Sequence, residues 1–270
     1  MQEIILHKLG NFIEEIHERP CVITDEPCDR LLELQNAGYC ILAELKHLQG
    51  LADEEVAAAL CKEDAVMQYA NVCIDAGKLP QAYFRRIWCR HVGEPVLIAE
   101  TERLIIRESV EEDAEAFLEL YQDTECRKYL EMPPVDLDGD RERDVAEFRR
   151  YIAQYQAGQY AFYEYGMWSV EEKESGRCIG RVGLEQQRRC GETTADGETK
   201  EMISLGYAFM PDYRGKGYAA EACLAVLDYC KECEYADEVY VKMDVENTAS
   251  RNVFEKIKKQ SLVRLKLQCD

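Results

Sequence analysis

The stretch GYAFMPDYRGKGYAAEA, Gly206 to Ala222, commits this chain to one local geometry. Ile203 to Met210 reads as a strand, Pro211 breaks it, and a glycine-rich loop runs directly into a helix. That helix carries Ala222, Cys223, Leu227 and Cys230 on its apolar face. Within the loop, Arg214-Gly215-Lys216-Gly217-Tyr218-Ala219 leaves the backbone uncovered, so consecutive N–H groups converge on an anion at the helix N-terminus. The helix dipole, Arg214 and Lys216 add positive potential suited to a phosphate or pyrophosphate. Neither common nucleotide fingerprint fits. A P-loop lysine is followed by Ser or Thr, whereas Lys216 is followed by Gly217; a dinucleotide loop needs three glycines, and only Gly215 and Gly217 are there.

The chain has 270 residues, 47 % of them hydrophobic, enough for two domains with real cores. We place the boundary so that residues 1–97 form a small α/β domain and 98–270 a second domain. In the first, MQEIILHKLGNFIEEIHERP reads as an amphipathic helix, Cys21 to Thr24 as a strand, Cys28 to Ala37 as a helix and Tyr39 to Leu45 as an apolar run. A helix around Asp53 to Cys61, a strand from Met67 to Ile74 and a helix from Pro80 to Val92 complete a small parallel layer. In the second, Thr101 to Glu108 is a strand and Val110 to Gln122 and Glu142 to Gln156 are helices. Tyr160 to Val170 and Arg177 to Gln186 make a hairpin, and Glu238 to Val245 is a strand before a helix from Thr248 to Lys258.

A net charge of −20 argues against nucleic acid or an anionic membrane as partner and is compatible with amine substrates. No apolar run reaches the length of a membrane span. The N-terminus lacks the pattern of a signal peptide. Thirteen cysteines without a framework read as free thiols in a reducing, cytoplasmic compartment.

Three motif-like features yield to plainer readings. Cys230 and Cys233 lie on one helix with no second pair and no histidine near, so they read as helix-face cysteines rather than a zinc site. Asp25 ends a strand as a phosphatase nucleophile would, but its partner position is Pro27. Asp136, Asp138, Asp140 and Glu147 have calcium-loop spacing, but the required glycine is Arg141; the acidic residues read as helix caps, and no metal is expected.

Four segments, in order, resemble the GNAT superfamily of acetyl-CoA-dependent N-acetyltransferases, specifically its ribosomal-protein-acetylating (Rim-type) branch. They are TERLIIRE (Thr101 to Glu108), CIGRVGLE (Cys178 to Glu185), LGYAFMPDYRGKGYAAEA (Leu205 to Ala222) and VENTASRNVFEK (Val245 to Lys256). The third holds the Arg-x-x-Gly-x-Ala loop as Arg214, Gly217 and Ala219, and the fourth the Asn-x-x-Ser helix start as Asn247 and Ser250. The resemblance implies an α/β (α+β) fold with a mixed, mostly antiparallel central sheet flanked by helices, here preceded by a small Rossmann-like α/β domain.

It also implies acetyl transfer from acetyl-CoA to a primary amine, on a small molecule or a protein N-terminus, by direct attack in a ternary complex. The loop from Gly215 to Ala219, with Arg214 and Lys216, would hold the pyrophosphate. An N–H of Phe209 or Met210 would polarise the thioester carbonyl, and Asn247 would hydrogen-bond the pantetheine arm. Ser250 would protonate the leaving thiolate. The base glutamate that many relatives place two residues before the Gly-Tyr is Ser204 here, which leaves Glu185 and Glu201 as candidates through a water. After Lys256 the sequence holds one strand, Leu262 to Gln268, where relatives have a Gly-Phe pair and two strands. A truncated chain, or a strand supplied by a second subunit of a homo-oligomer, would each explain this. With no glutamate at position 204, the alternative is a non-catalytic acyl-CoA-binding sensor module.

Overall fold

The computed structural model describes residues 3–9, 21–23, 29–43, 56–58, 73–74, 85–86, 89–90, 94–130, 132–160, 163–193, 199–233 and 235–269. The chain divides into two compact units, Met1–Val96 and Leu97–Asp270.

In the first unit, β1 (Glu3–Leu9) pairs antiparallel with β2 (Cys21–Ile23), β4 (Val56–Ala58) and β5 (Cys73–Ile74). Among the described residues of this unit, only β2 and β3 (Ile41–Ala43) run parallel, with α1 (Asp29–Asn36) between them in sequence. Two expectations change. Residues 3–9 form a strand, not a helix, because the Ile-Ile-Leu run is taken up by pairing on both sides of β1. Residues 56–58 are a strand where a helix was expected. The parallel layer is thereby a mixed sheet. Asp25, and most of the helix expected from Pro80, lie outside the described residues.

The second unit is built on a seven-stranded sheet in the order β12-β11-β10-β9-β8-β7-β6. Its first five strands form an antiparallel meander: β6 (Leu97–Glu100), β7 (Leu104–Arg107), β8 (Met167–Glu172), β9 (Arg177–Thr193) and β10 (Thr199–Phe209). Parallel crossovers then follow. Helix α5 (Tyr218–Glu232) links β10 to β11 (Glu238–Met243), and α6 (Thr248–Ile257) links β11 to β12 (Arg264–Cys269). The mixed, mostly antiparallel sheet flanked by helices is the fold class expected. The single strand after the last helix is there too, on the sheet edge.

Between β7 and β8 lie α2 (Ala114–Gln122), α3 (Thr124–Tyr129) and α4 (Arg141–Tyr155). Ala114, Phe117, Leu118 and Tyr121 recur at helical spacing and are buried with Val145, Phe148 and Ile152 of α4. Phe148 meets Phe117 edge-on and stacks on Tyr121 with centroids 5.7 Å apart. Trp168 of β8 is fully buried against Tyr229 of α5. The acidic loop before α4 does cap it: Asp140 accepts from the Arg143 N–H at 3.2 Å, and buried Asp144 accepts from the Asp138 N–H at 3.0 Å.

This core sets an alkaline limit. Burial pushes the phenols of Tyr155, Tyr160 and Tyr207 above their ordinary value. A raised acid retains its proton when folded, so the stability it confers is complete below about pH 10 and is lost as pH rises beyond that. The melting temperature should therefore decline from pH 10 to 11, more shallowly in Tyr155→Phe. A flat melting curve over that interval would contradict this.

Candidate active site

After β10 the chain makes a 3-10 turn, Pro211–Tyr213, and enters α5 through Gly215 at φ +75° and Gly217 at φ +88°. Both angles are left-handed, a region glycine adopts without the strain a Cβ brings. Gly217 is the N-cap of α5, and no side chain caps that end. The first N–H groups of a helix have no partner within it. Here the N–H groups of Gly215, Lys216, Gly217, Tyr218 and Ala219 find none among the described residues. The loop is braced from the turn between β6 and β7 and from β8. Arg103 donates from Nη1 to the Lys216 carbonyl at 3.0 Å and from Nε to Glu221 at 2.7 Å, and stacks on the Tyr218 ring at 4.2 Å. The Tyr218 hydroxyl donates to Glu172, and Thr101 donates to Glu221 at 2.6 Å. A fixed row of unpaired donors at a helix N-terminus is an anion site.

Arg214 is placed differently from expectation. Its guanidinium is already committed, with Nε to the Phe209 carbonyl at 2.8 Å and Nη2 to Asp123 at 2.5 Å and to the Cys126 thiol at 3.1 Å. Asp123 in turn is the N-cap of α3, accepting from the Cys126 N–H at 2.8 Å. Arg214 thus clasps the end of β10 to α3. Lys216 sits with its ammonium 5.4 Å from the Tyr213 ring.

Strands β10 and β11 pair at Ile203–Val239 and Ser204–Tyr240, after which β10 keeps only its β9 partner down to Phe209. Met210 donates its N–H to the Ile179 carbonyl at 2.9 Å. Antiparallel pairs alternate between bonded and non-bonded, so Phe209, opposite Gly180, turns its N–H away from β9 toward the splay. Of the two N–H groups expected to polarise a carbonyl, Met210 is therefore occupied and Phe209 is available.

A groove of about 610 Å³ joins these parts, lined by Gly215, Gly217, Ala219, Phe209, Asn247 and Ser250 among others. Asn247 caps α6, its Oδ1 accepting from the Ser250 N–H at 2.9 Å, which leaves its amide NH₂ for a ligand. Ser250 Oγ shares a 2.7 Å hydrogen bond with the Tyr207 hydroxyl, which also donates to the Ser250 carbonyl at 3.3 Å. A second groove of about 450 Å³ contains Arg181, Glu185 and Ser204. Tyr129, Leu130, Tyr207, Asn247 and Ser250 line both grooves, which meet at the Tyr207–Ser250 pair.

The two candidate bases separate. Glu185 pairs with Ser204, whose Oγ donates to the Glu185 carbonyl at 3.3 Å, and it faces the second groove. Glu201 pairs with Arg188 near the start of β10, about 27 Å of strand from Phe209, so the sheet carries it away from the junction. Two residues were missed. Tyr207 lines both grooves, and nothing local in the sequence shows that it reaches Ser250. Arg181, in the middle of β9, is buried beside the second groove.

A model of the acetyltransferase (GNAT) domain matches residues 103–259, more than half of the chain. An uncharacterized N-acetyltransferase of Bacillus licheniformis, p20, is 27 % identical over 167 residues, 61 % of this chain and 84 % of that protein. The uncharacterized N-acetyltransferase YoaA of Bacillus subtilis is 25 % identical over 135 residues, 49 % of this chain and 65 % of its own. A solved acetyltransferase (GNAT family) from Bacillus anthracis is 23 % identical with a TM-score of 0.43, covering 58 % of this chain and 80 % of that one. On the strength of the domain match, this chain belongs to the GNAT acetyltransferase family and is an acetyltransferase.

Proposed function

We propose that residues 98–270 transfer an acetyl group from acetyl-CoA to a primary amine in a ternary complex, with residues 1–97 a separate α/β domain. The observation that carries this is the row of five unpartnered N–H groups, Gly215 to Ala219, opening on the groove that ends at Tyr207 and Ser250. Acetyl-CoA supplies an activated thioester. The N–H groups of Gly215, Lys216, Gly217, Tyr218 and Ala219 bind its pyrophosphate. Arg214 acts as a positioning residue by fixing the loop and the Phe209 carbonyl. The Asn247 amide holds the pantetheine arm, and the Phe209 N–H receives charge as it develops on the carbonyl oxygen.

As the C–N bond forms and the C–S bond breaks, Glu185 takes the amine proton through water and Ser250 gives one to the sulfur, refilled from Tyr207. Burial keeps the Tyr207 phenol protonated at neutral pH, so it serves as donor and not as base. The acceptor is a small-molecule amine or a protein N-terminus, the second being the substrate class of the Rim-type branch that the four segments resemble.

Free-thiol release from acetyl-CoA across a panel of amines tests the reading. Tight acetyl-CoA binding with no release on any amine would support the sensor reading instead. Glu185→Gln should lower kcat/KM near neutral pH by about 100-fold if it is the base. Unchanged kcat/KM would remove it from the mechanism.

A further inference from the structure

Arg181 is 2 % exposed, yet it lines the second groove. A guanidinium has five N–H donors. One is used by the Tyr121 hydroxyl, at 3.0 Å from Nη1, and one by the Met167 carbonyl, at 3.1 Å from Nη2. Nε is buried without a partner. Aromatic rings enclose the cation, with Phe117 at 4.5 Å, Tyr155 at 5.6 Å and Tyr151 at 5.8 Å. These groups do not neutralise it. Burial raises the phenols of Tyr151, Tyr155 and Tyr160, so each remains uncharged.

No carboxylate among the described residues forms an ion pair with Arg181. The contrast with its neighbours is sharp. Arg103 has Glu221, Arg107 has Asp113 at 2.8 Å, and Arg214 has Asp123. The most deeply buried of the four is the one without a counter-ion. Taking a guanidinium out of water without an anion is strongly unfavourable, and a buried donor left unpaired adds to that cost. The surrounding groove has the same bias. It presents Lys128, Arg181 and Lys242 against Glu185 and Asp244, in a chain whose net charge is −20.

We propose that the acceptor amine carries a carboxylate, which seats against Arg181 in the second groove while the amine lies at the Tyr207–Ser250 junction. The proposal rests on the acetyl-transfer reading above. The planar guanidinium matches a carboxylate in shape as well as charge. A carboxylate on an amine comes from a free amino acid or from an acidic first side chain of a peptide, and the acceptors below separate the two.

Thiol release by the full-length protein is measured with acetyl-CoA and matched acceptors: L-alanine, L-alaninamide, and the peptide amides Asp-Ala-Ala and Ala-Ala-Ala. In one of the pairs the acid should exceed its neutral partner in kcat/KM by at least about 10-fold. A preference for L-alanine marks a free amino acid, and a preference for Asp-Ala-Ala marks a peptide. Arg181→Gln should raise KM for the preferred acid about 100-fold, far more than for its neutral partner. Should that variant not fold, Arg181→Lys keeps the charge but loses the fork, and a loss of about 10-fold confined to the acid is expected.

Calorimetric titration with N-acetyl-L-alanine, N-acetyl-L-alaninamide and the corresponding acetylated peptides reads recognition without turnover. Binding of an acid alone, abolished in Arg181→Gln, supports the site even if no acceptor releases thiol, an outcome that would remove the transfer reading. Thiol release with equal kcat/KM for acid and neutral acceptors overturns the carboxylate site and keeps the transfer reading. Equal binding of acid and neutral ligands, or of wild type and variant, also overturns the site and leaves Arg181 as an aromatic-boxed strut.

Discussion

Ala219→Glu should abolish acetyl-CoA binding while making the fold slightly more stable. Ala219 lies in the first turn of α5 and lines the first groove, beside N–H groups that no side chain caps. A carboxylate introduced there would be drawn to those donors and to the positive end of the helix. The folded chain should gain about 0.3–1 kcal/mol, the usual worth of an acidic residue in a first turn. For a unit of this size that corresponds to a melting temperature about 1–4 °C higher. The same carboxylate repels the pyrophosphate and occupies its donors. Each lost charge-assisted hydrogen bond is worth about 1.5–3 kcal/mol, so two are enough to weaken binding more than 100-fold. Ala219→Gln is the control, since it has similar bulk without the charge and should lose about 10-fold or less. Calorimetry with acetyl-CoA and a thermal melt give both readouts. A glutamate variant that binds normally would sink the anion-site assignment.

The second large effect is at the junction of the grooves. Ser250→Ala and Tyr207→Phe should each lower kcat about 100-fold, because each breaks the same proton route to the sulfur. The double variant should fall little further than either single one, as residues acting as a unit are not additive. Affinity for acetyl-CoA should hold in both. Ser250 donates its backbone N–H, not its hydroxyl, to the capping Asn247 Oδ1, so alanine leaves the start of α6 intact. Parallel loss of affinity and kcat would mark Ser250 as a binding residue.

What could be read from the sequence was what is local. The strand, turn and loop from Ile203 to Ala219 follow from proline, glycine and helix-forming residues within one short stretch, and the structure has them where expected. The capping role of the acidic residues before α4 is likewise local. What failed depended on partners distant in sequence. Met210 looks free until β9 brings the Ile179 carbonyl to its N–H. Arg214 looks like a phosphate ligand until the packing of α3 supplies Asp123. Residues 3–9 have enough apolar content for either a helix or a strand, and pairing with segments far along the chain decides it. Glu185 and Glu201 looked equivalent as strand-end carboxylates. Only the register of β9 on β10 sets one beside the groove and the other up the strand.

The divergence of β10 from β11 after Ser204 bears on how this protein tolerates change. The group that would polarise the carbonyl belongs to the peptide of Phe209, not to its side chain. Ordinary substitutions at that position leave the donor in place, so an alanine scan would read the loss of the buried ring and not the N–H. Proline alone among the natural amino acids removes it. Deleting one residue between Ser204 and Phe209 would do comparable harm by another route, turning the hydrogen-bonding alternation over so that the N–H faces β9. Side-chain change at Phe209 is therefore limited by the packing of its buried ring, while the donor itself holds fixed the length of the strand leading to it.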